Sequence, residues 1–363
     1  MERSLNLFWI SRTMRSRRTA LVLLAALALL LAARTVLPPK LWSPLLFAVL
    51  GGLLVSLSFC TLAQIKTAAQ PPDSLFVARH RLGCWGSPLL HLALLILIVA
   101  GTLMALTETW GRTVLVEGET FTDRRVEYLA FHQGPWATFR PFRVKFRLER
   151  VNVAYRSTGE VQDFETTITL LDREEPARQV VIAGGHPLAC QGIMVYRHLF
   201  GYAPIVRFSP ASPTAEPSPT ASRPALVILD TVGDLGEGER YEGSFTEPSS
   251  GRKVSLRFLP DYDQPTSRNL SAQPRQPALL VRVEGGEGSP GATFRGVVPL
   301  HSTLTLAGLT VNFLDYRRWA SFTVVASRGK GLLFLGFALA LCGAGLLYLF
   351  NPRKALEQEG GQR

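Results

Sequence analysis

Cysteine is scarce in this chain and never falls in a CxxC. The four cysteines among 363 residues are Cys60, Cys84, Cys190 and Cys342. Their spacing leaves no support for a thiol oxidoreductase motif or a zinc ribbon. CxxCH is missing as well, so the chain is not itself a c-type cytochrome. G-x-S-x-G, a Walker loop and HExxH are also absent, which removes the common signatures of hydrolases, nucleotide-binding enzymes and zinc proteases. The glycines of "GEGERYEG" (236–243) and "GGEGSPG" (285–291) lack a strand-loop-helix context and read as a turn and a loop. His132, His186, His198 and His301 are scattered without metal-ligand spacing and read as surface or packed side chains.

Charge is sparse too. Charged residues make up 18% of the sequence and hydrophobic residues 47%, with a mean hydropathy of +0.16. The net charge of +11 invites a nucleic-acid reading, but its distribution argues against one. Residues 1–18 hold Arg3, Arg12, Arg15, Arg17 and Arg18 against Glu2 alone. Further cations flank apolar runs, and no basic stripe interleaved with aromatics appears. Cations at the ends of apolar runs are the positive-inside pattern of membrane proteins.

A membrane-crossing helix needs about 20 mostly apolar residues, and four runs approach this. The first two form a hairpin over 19–65, joined by the proline-rich "PPKLWSP" (38–44). A cleavable signal sequence would begin similarly, but the pair reads as two spans. The third covers 88–107, with Trp85 and Trp110 just outside it as interfacial anchors, and the fourth covers 331–350. The basic N-terminus (1–18), the 66–87 loop and the 351–363 tail are then expected in the cytoplasm, placing 108–330 outside. Arg317, Arg318, Arg328 and Lys330 run against this orientation, but long translocated domains largely escape the charge rule.

The block 108–330 reads as all-β. In "FRVKFRLERV" (142–151), Phe142, Val144, Phe146 and Leu148 alternate with charged residues, the period of a half-buried strand. Similar runs lie at 113–117, 164–171, 179–183, 192–198, 225–230, 254–259, 278–284, 309–316 and 321–327. Many short strands without a long helix suggest a sandwich-like fold. The Pro/Ser/Thr linker at 209–224 predicts two lobes. "HPLACQGIMVY" (186–196) and "VPLHSTLTLAGLTVNF" (298–313) share a Pro-Leu, glycine and strand order. A common turn-to-strand pattern explains this better than a duplication.

One residue stands out. His91, in "SPLLHLALLILIVAG" (87–101), is the only ionisable side chain of its stretch. A polar ring in hydrocarbon often marks a functional site. Counted from Pro88, however, it sits one turn inside the span, where it can reach the cytoplasmic interface. Both readings stand on the residues alone.

Three stretches carry a family resemblance: "SPLLHLALLILIVAGTLMALTETWGRTVLVEGETF" (87–121), "GGHPLACQGIMVYRHLFG" (184–201) and "GLTVNFLDYRRWASFTVVASRGKGLLFLGFALALCGAGLLYLF" (308–350). In their order and span layout they resemble the ResB-like family of cytochrome c biogenesis proteins, one half of the system II (CcsB/ResB-type) haem-attachment machinery. Gly185 stands where the family has asparagine in its "N.PL" segment, and Tyr196-Arg197 replaces Tyr-Gln.

The resemblance implies four transmembrane helices with a large extracytoplasmic β domain between the third and fourth, in the bacterial cytoplasmic membrane. It implies that His91 is an axial ligand to the iron of haem, carried as transient cargo with its propionates toward Arg79 or Arg81. No second histidine lies in the spans as read, so the other ligand would come from a multi-span ResC/CcsA-type partner. Haem would then be attached to the CxxCH of an apocytochrome c, with the β domain as scaffold. On this reading the chain is a subunit of a synthase, not an enzyme by itself. The competing expectation is a membrane-anchored β scaffold for envelope or respiratory complex assembly, without haem.

Overall fold

The computed structural model describes residues 17–33, 39–69, 78–137, 144–171, 177–190, 192–210, 224–234, 237–247, 251–284 and 293–350. Most of the basic N-terminus, most of the 209–224 linker, the 285–291 loop and the 351–363 tail lie outside them. The chain divides into two compact units. One gathers the helical segments with Gly134–Trp136, and the other gathers the strands of Glu108–Gln133 and Ala137–Ala326.

The helical unit contains α1 (Arg17–Ala33), α2 (Pro39–Ala69), α3 (Ala78–Thr107) and α4 (Lys330–Leu349). Three of these hold stretches long and apolar enough to cross a membrane: Pro44–Ala69, Gly83–Thr107 and Lys330–Leu349. The apolar stretch of α1, Leu21–Ala33, is shorter. Two boundaries differ from the sequence expectation. Helix α2 starts at Pro39, inside the expected 38–44 connection, and α3 starts at Ala78, well before Pro88. Proline at a first helical position loses no hydrogen bond. Interior Pro88 removes one, from the carbonyl of Cys84, and the helix runs through it.

Glycine sets how α3 and α4 pack. A Cβ on Gly343 would lie 2.8 Å from the Leu90 nitrogen and 3.0 Å from the Gly86 oxygen. A Cβ on Gly86 would lie 2.8 Å from the Leu347 nitrogen, and one on Gly336 would meet the Leu97 side chain at 2.8 Å. Gly86, Ala93 and Ala100 therefore repeat every seven residues on α3, opposite Gly343 and Gly336 on an antiparallel α4. All five are buried. Lipid gives apolar helices little reason to associate, so close backbone approach between small residues supplies the attraction. Several hydroxyls bond back to their own helix: Ser58 donates to the Leu54 carbonyl, Thr61 to Leu57 and Thr107 to Leu103, whereas the buried Thr102 hydroxyl has no partner among the described residues.

In the β-rich unit, a seven-stranded sheet is built on two long antiparallel strands, Ile193–Pro210 and Leu309–Ala326. Thr109–Val116 pairs along the outer side of Leu309–Ala326 and Ala130–Gln133 pairs with it in turn. A five-stranded sheet orders Asp230–Asp234, Glu237–Thr246, Lys253–Leu259, Ala278–Glu284 and Thr293–Pro299. A four-stranded sheet orders Thr120–Phe121, Phe146–Tyr155, Val161–Leu170 and Arg178–Ile182.

One contiguous core joins these three sheets, so the two lobes expected around the linker are not separate. The Tyr202 ring stacks on Phe258 at 4.3 Å between centroids and meets Tyr241 edge-on at 4.7 Å. Phe146 meets Phe322 at 5.4 Å and Phe164 meets Phe200 at 5.0 Å. These contacts cross from sheet to sheet, and burying such large rings outweighs the polar linker between the halves.

Several strands depart from the sequence reading. "GEGERYEG", read as a turn, lies largely in strand Glu237–Thr246, because Tyr241 is buried in the shared core. The run 225–230 is a strand only at Ala225–Leu226 before the chain resumes pairing at Asp230. The runs 309–316 and 321–327 belong to one 18-residue strand. Register shifts at Phe313/Asp315 and Ala320/Phe322 carry it through the charged "DYRRW". The two Pro-Leu…Gly segments are hairpins, Leu188–Cys190 into Ile193–Pro210 and Thr303–Leu306 into Leu309–Ala326. Each turns on a left-handed glycine, Gly192 at φ 81° and Gly308 at φ 79°. The shared hairpin geometry accounts for the shared pattern.

Candidate functional site

The polar side chains of interest in the helical unit meet between α2 and α3. His91 and Ser87 lie one turn apart on α3, and Gln64 approaches them from α2; all three are half-buried. Measured from Gly83, where the apolar stretch of α3 begins, His91 is about 12 Å along the helix, two turns inside rather than one.

The geometry dictates where the protons sit. His91 Nδ1 lies 2.9 Å from the Ser87 carbonyl oxygen. A carbonyl only accepts, so Nδ1 carries the hydrogen and donates it. A ring with its one hydrogen on Nδ1 presents Nε2 as an acceptor. The Gln64 amide nitrogen is 3.4 Å from that atom and presents the matching hydrogen. That orientation turns the Gln64 carbonyl oxygen toward Ser87, whose hydroxyl donates to it at 2.7 Å. Every group in the chain Ser87–Gln64–His91 has one consistent role. The closest bonds anchor Nδ1 and the amide oxygen, while the contact to Nε2 is the longest.

A histidine whose Nδ1–H is tied to a backbone carbonyl, leaving Nε2 as the acceptor, has the arrangement that histidine ligands adopt toward a metal; here the Gln64 amide occupies Nε2. A haem iron takes such a ligand. The residues present therefore fit the group that the sequence reading attached to His91. Arg79 falls on the first turn of α3 and Arg81 on the next; their side chains lie outside the described residues.

Sequence reasoning singled out neither Gln64 nor Ser87. A signal existed for Gln64. It is the only carboxamide in the apolar stretch Pro44–Ala69, and such groups in hydrocarbon seek partners.

The β-rich unit does not bring its histidines together. His132 stacks on Trp110 at 5.8 Å, His186 Nδ1 bonds the Gly184 carbonyl at 3.1 Å, and His301 occupies a turn at φ 62°. Among the described residues no three His, Cys, Asp or Glu side chains are placed to hold a metal. Polar groups here hold strands together, among them the half-buried Glu117. Glu117 accepts from the Val151 amide at 2.8 Å and the Arg318 amide at 3.2 Å, tying three strands together. Tyr128 donates to Asp123 at 2.6 Å; burial first, then this bond and the carboxylate charge, push its phenol well above the usual tyrosine range. Tyr202, fully buried and 3.2 Å from the Tyr155 hydroxyl, is raised too, chiefly by burial.

Two curated proteins align with most of the chain. The cytochrome c biogenesis protein CcsB of Thermosynechococcus vestitus is 23% identical over 83% of this chain and 61% of its own length. The protein of the same description from Microcystis aeruginosa is 20% identical over 79% of this chain and 58% of its own. The chain thus spans about three-fifths of the length of these relatives. Among solved structures, the cytochrome c heme lyase CcmF aligns with 93% of this chain and 35% of its own, at 13% identity and a TM-score of 0.29. The model of the ResB-like family matches residues 60–356, which takes in α3, the whole β-rich unit and α4, and the chain belongs to that family.

Proposed function

We propose that this protein is the membrane subunit of a system II cytochrome c synthase, passing haem across the membrane with a ResC/CcsA-type partner for attachment to apocytochrome c. The observation that carries the reading is the His91 ring inside a membrane-length helix, held by the Ser87 carbonyl at Nδ1 and met at Nε2 only by the Gln64 amide at 3.4 Å. Family membership and the cytochrome c biogenesis role of the two CcsB relatives support it.

In this proposal α1 also crosses the membrane, making four crossings; both termini are cytoplasmic, and the β-rich unit faces the extracytoplasmic side. His91 supplies one axial nitrogen to the haem iron; Ser87 orients the ring and the partner supplies the opposite ligand. Arg79 and Arg81, about three turns toward the start of α3, offer positive charge to the propionates. The β-rich unit serves as scaffold where the haem meets the CxxCH thiols.

The test is cytochrome c maturation in cells lacking their own machinery, supplied with this chain, the partner and an apocytochrome c. Haem covalently attached to the apocytochrome is expected with the wild-type chain and lost with His91→Ala at equal chain abundance. Undiminished attachment by the alanine variant contradicts the haem role of His91 and favours a scaffold without haem binding.

A further inference from the structure

We propose that Gln64 is a positioning residue for His91: in the haem-free chain its amide covers the Nε2 lone pair, and iron must displace it. The inference rests on the haem reading of His91 and adds a residue from a different helix.

Three distances carry it. The Ser87 carbonyl, 2.9 Å from Nδ1, fixes the tautomer. The Gln64 amide nitrogen lies 3.4 Å from Nε2, the ring atom that a metal would need. The Ser87 hydroxyl, 2.7 Å from the amide oxygen, holds the amide with its nitrogen toward the ring. A polar ring left bare between two apolar helices is costly. The amide removes that cost while no cargo is present, through its longest and weakest contact. It can swing aside about its own torsions while Ser87 keeps the ring in place. Haem would then take Nε2 in place of the Gln64 hydrogen, while the Ser87 carbonyl keeps its hold on Nδ1.

The proposal gives a substitution at Gln64 a sign that a structural role would not. Gln64→Leu removes the competing donor and leaves the Nδ1 anchor. Ferric haem titrated into the haem-free full-length chain in detergent should bind about fivefold more tightly, the factor of one ordinary net hydrogen bond. A purely structural Gln64 would weaken binding instead.

Nitrogen NMR of ring-labelled histidine adds a readout independent of haem. The haem-free wild type should show the hydrogen on Nδ1 and not on Nε2, and Gln64→Leu should keep that tautomer while the Nε2 signal moves as its hydrogen bond is lost. If His91→Ala abolishes the histidine-ligated spectrum while Gln64→Leu weakens binding or leaves it unchanged, the Gln64 proposal is overturned and the His91 reading stands. If His91→Ala leaves the haem spectrum unchanged, both are overturned.

Discussion

Gly343→Ala adds one methyl group where α4 touches the backbone of α3 beside His91. The new Cβ would sit 2.8 Å from the Leu90 nitrogen and 3.0 Å from the Gly86 oxygen. These are backbone atoms, so no side chain can rotate away. Restoring an ordinary contact of about 3.5 Å requires the helices to separate locally by about 0.7 Å. A gap of that size forfeits a quarter to a half of each dispersion contact worth about 0.1–0.2 kcal/mol; over about forty contacts the loss is about 2 kcal/mol.

Alanine also favours a helix over glycine by about 1 kcal/mol. Gly345→Ala cancels that term, because a Cβ at Gly345 meets nothing within 4 Å. Unfolding by sodium dodecyl sulfate in mixed micelles, followed by far-ultraviolet circular dichroism, should find Gly343→Ala less stable than Gly345→Ala by about 2 kcal/mol. Equal stability, within about 0.5 kcal/mol, refutes the close-packing argument.

The β-rich unit yields two further expectations. Glu117→Ala removes the acceptor for the Val151 and Arg318 amides. Near-ultraviolet circular dichroism on heating should show a loss of about 2–4 kcal/mol, with Glu117→Gln intermediate because its amide accepts through one oxygen only. Tyr128, Tyr202 and Tyr316 all have their ionisation raised, chiefly by burial. Folded, they keep their protons where an unfolded tyrosine, near pH 10, loses them. Their contribution to stability is therefore complete below about pH 10 and is lost as pH rises beyond it. Absorbance at ~295 nm should show these phenols ionising only together with unfolding, and Tyr202→Phe should make the alkaline decline shallower. Early, fully reversible ionisation of all eight tyrosines would contradict the burial account.

Much of this arrangement is legible from periodicity. The apolar runs mark α2, α3 and α4, because length and hydropathy alone define a helix able to cross a bilayer. The alternation of Phe146 and Leu148 with charged residues marks a strand, though a register shift after Leu148 brings Val151 rather than Arg150 inward. Helix starts were harder to read, since Pro39 and Pro88 look like boundaries and act as tolerated interior or first-turn residues.

The joining of the β halves was not legible. It depends on Tyr202, Tyr241 and Phe258 meeting in space from separate strands, and no local pattern encodes that. The site shows the same division. His91 stands out as a lone ionisable group in an apolar stretch, whereas Gln64 acquires meaning only when packing sets it beside a ring 27 residues away.

The central claim is direct ligation of haem iron by His91. The most direct measurement compares absorption spectra of the haem-loaded chain with its partner, as wild type and as His91→Gly, with and without added imidazole. The account predicts a histidine-ligated spectrum in the wild type, its loss in the glycine variant, and its return when imidazole fills the cavity where the ring stood. An unchanged spectrum in His91→Gly, or a lost one that imidazole does not restore, would contradict it.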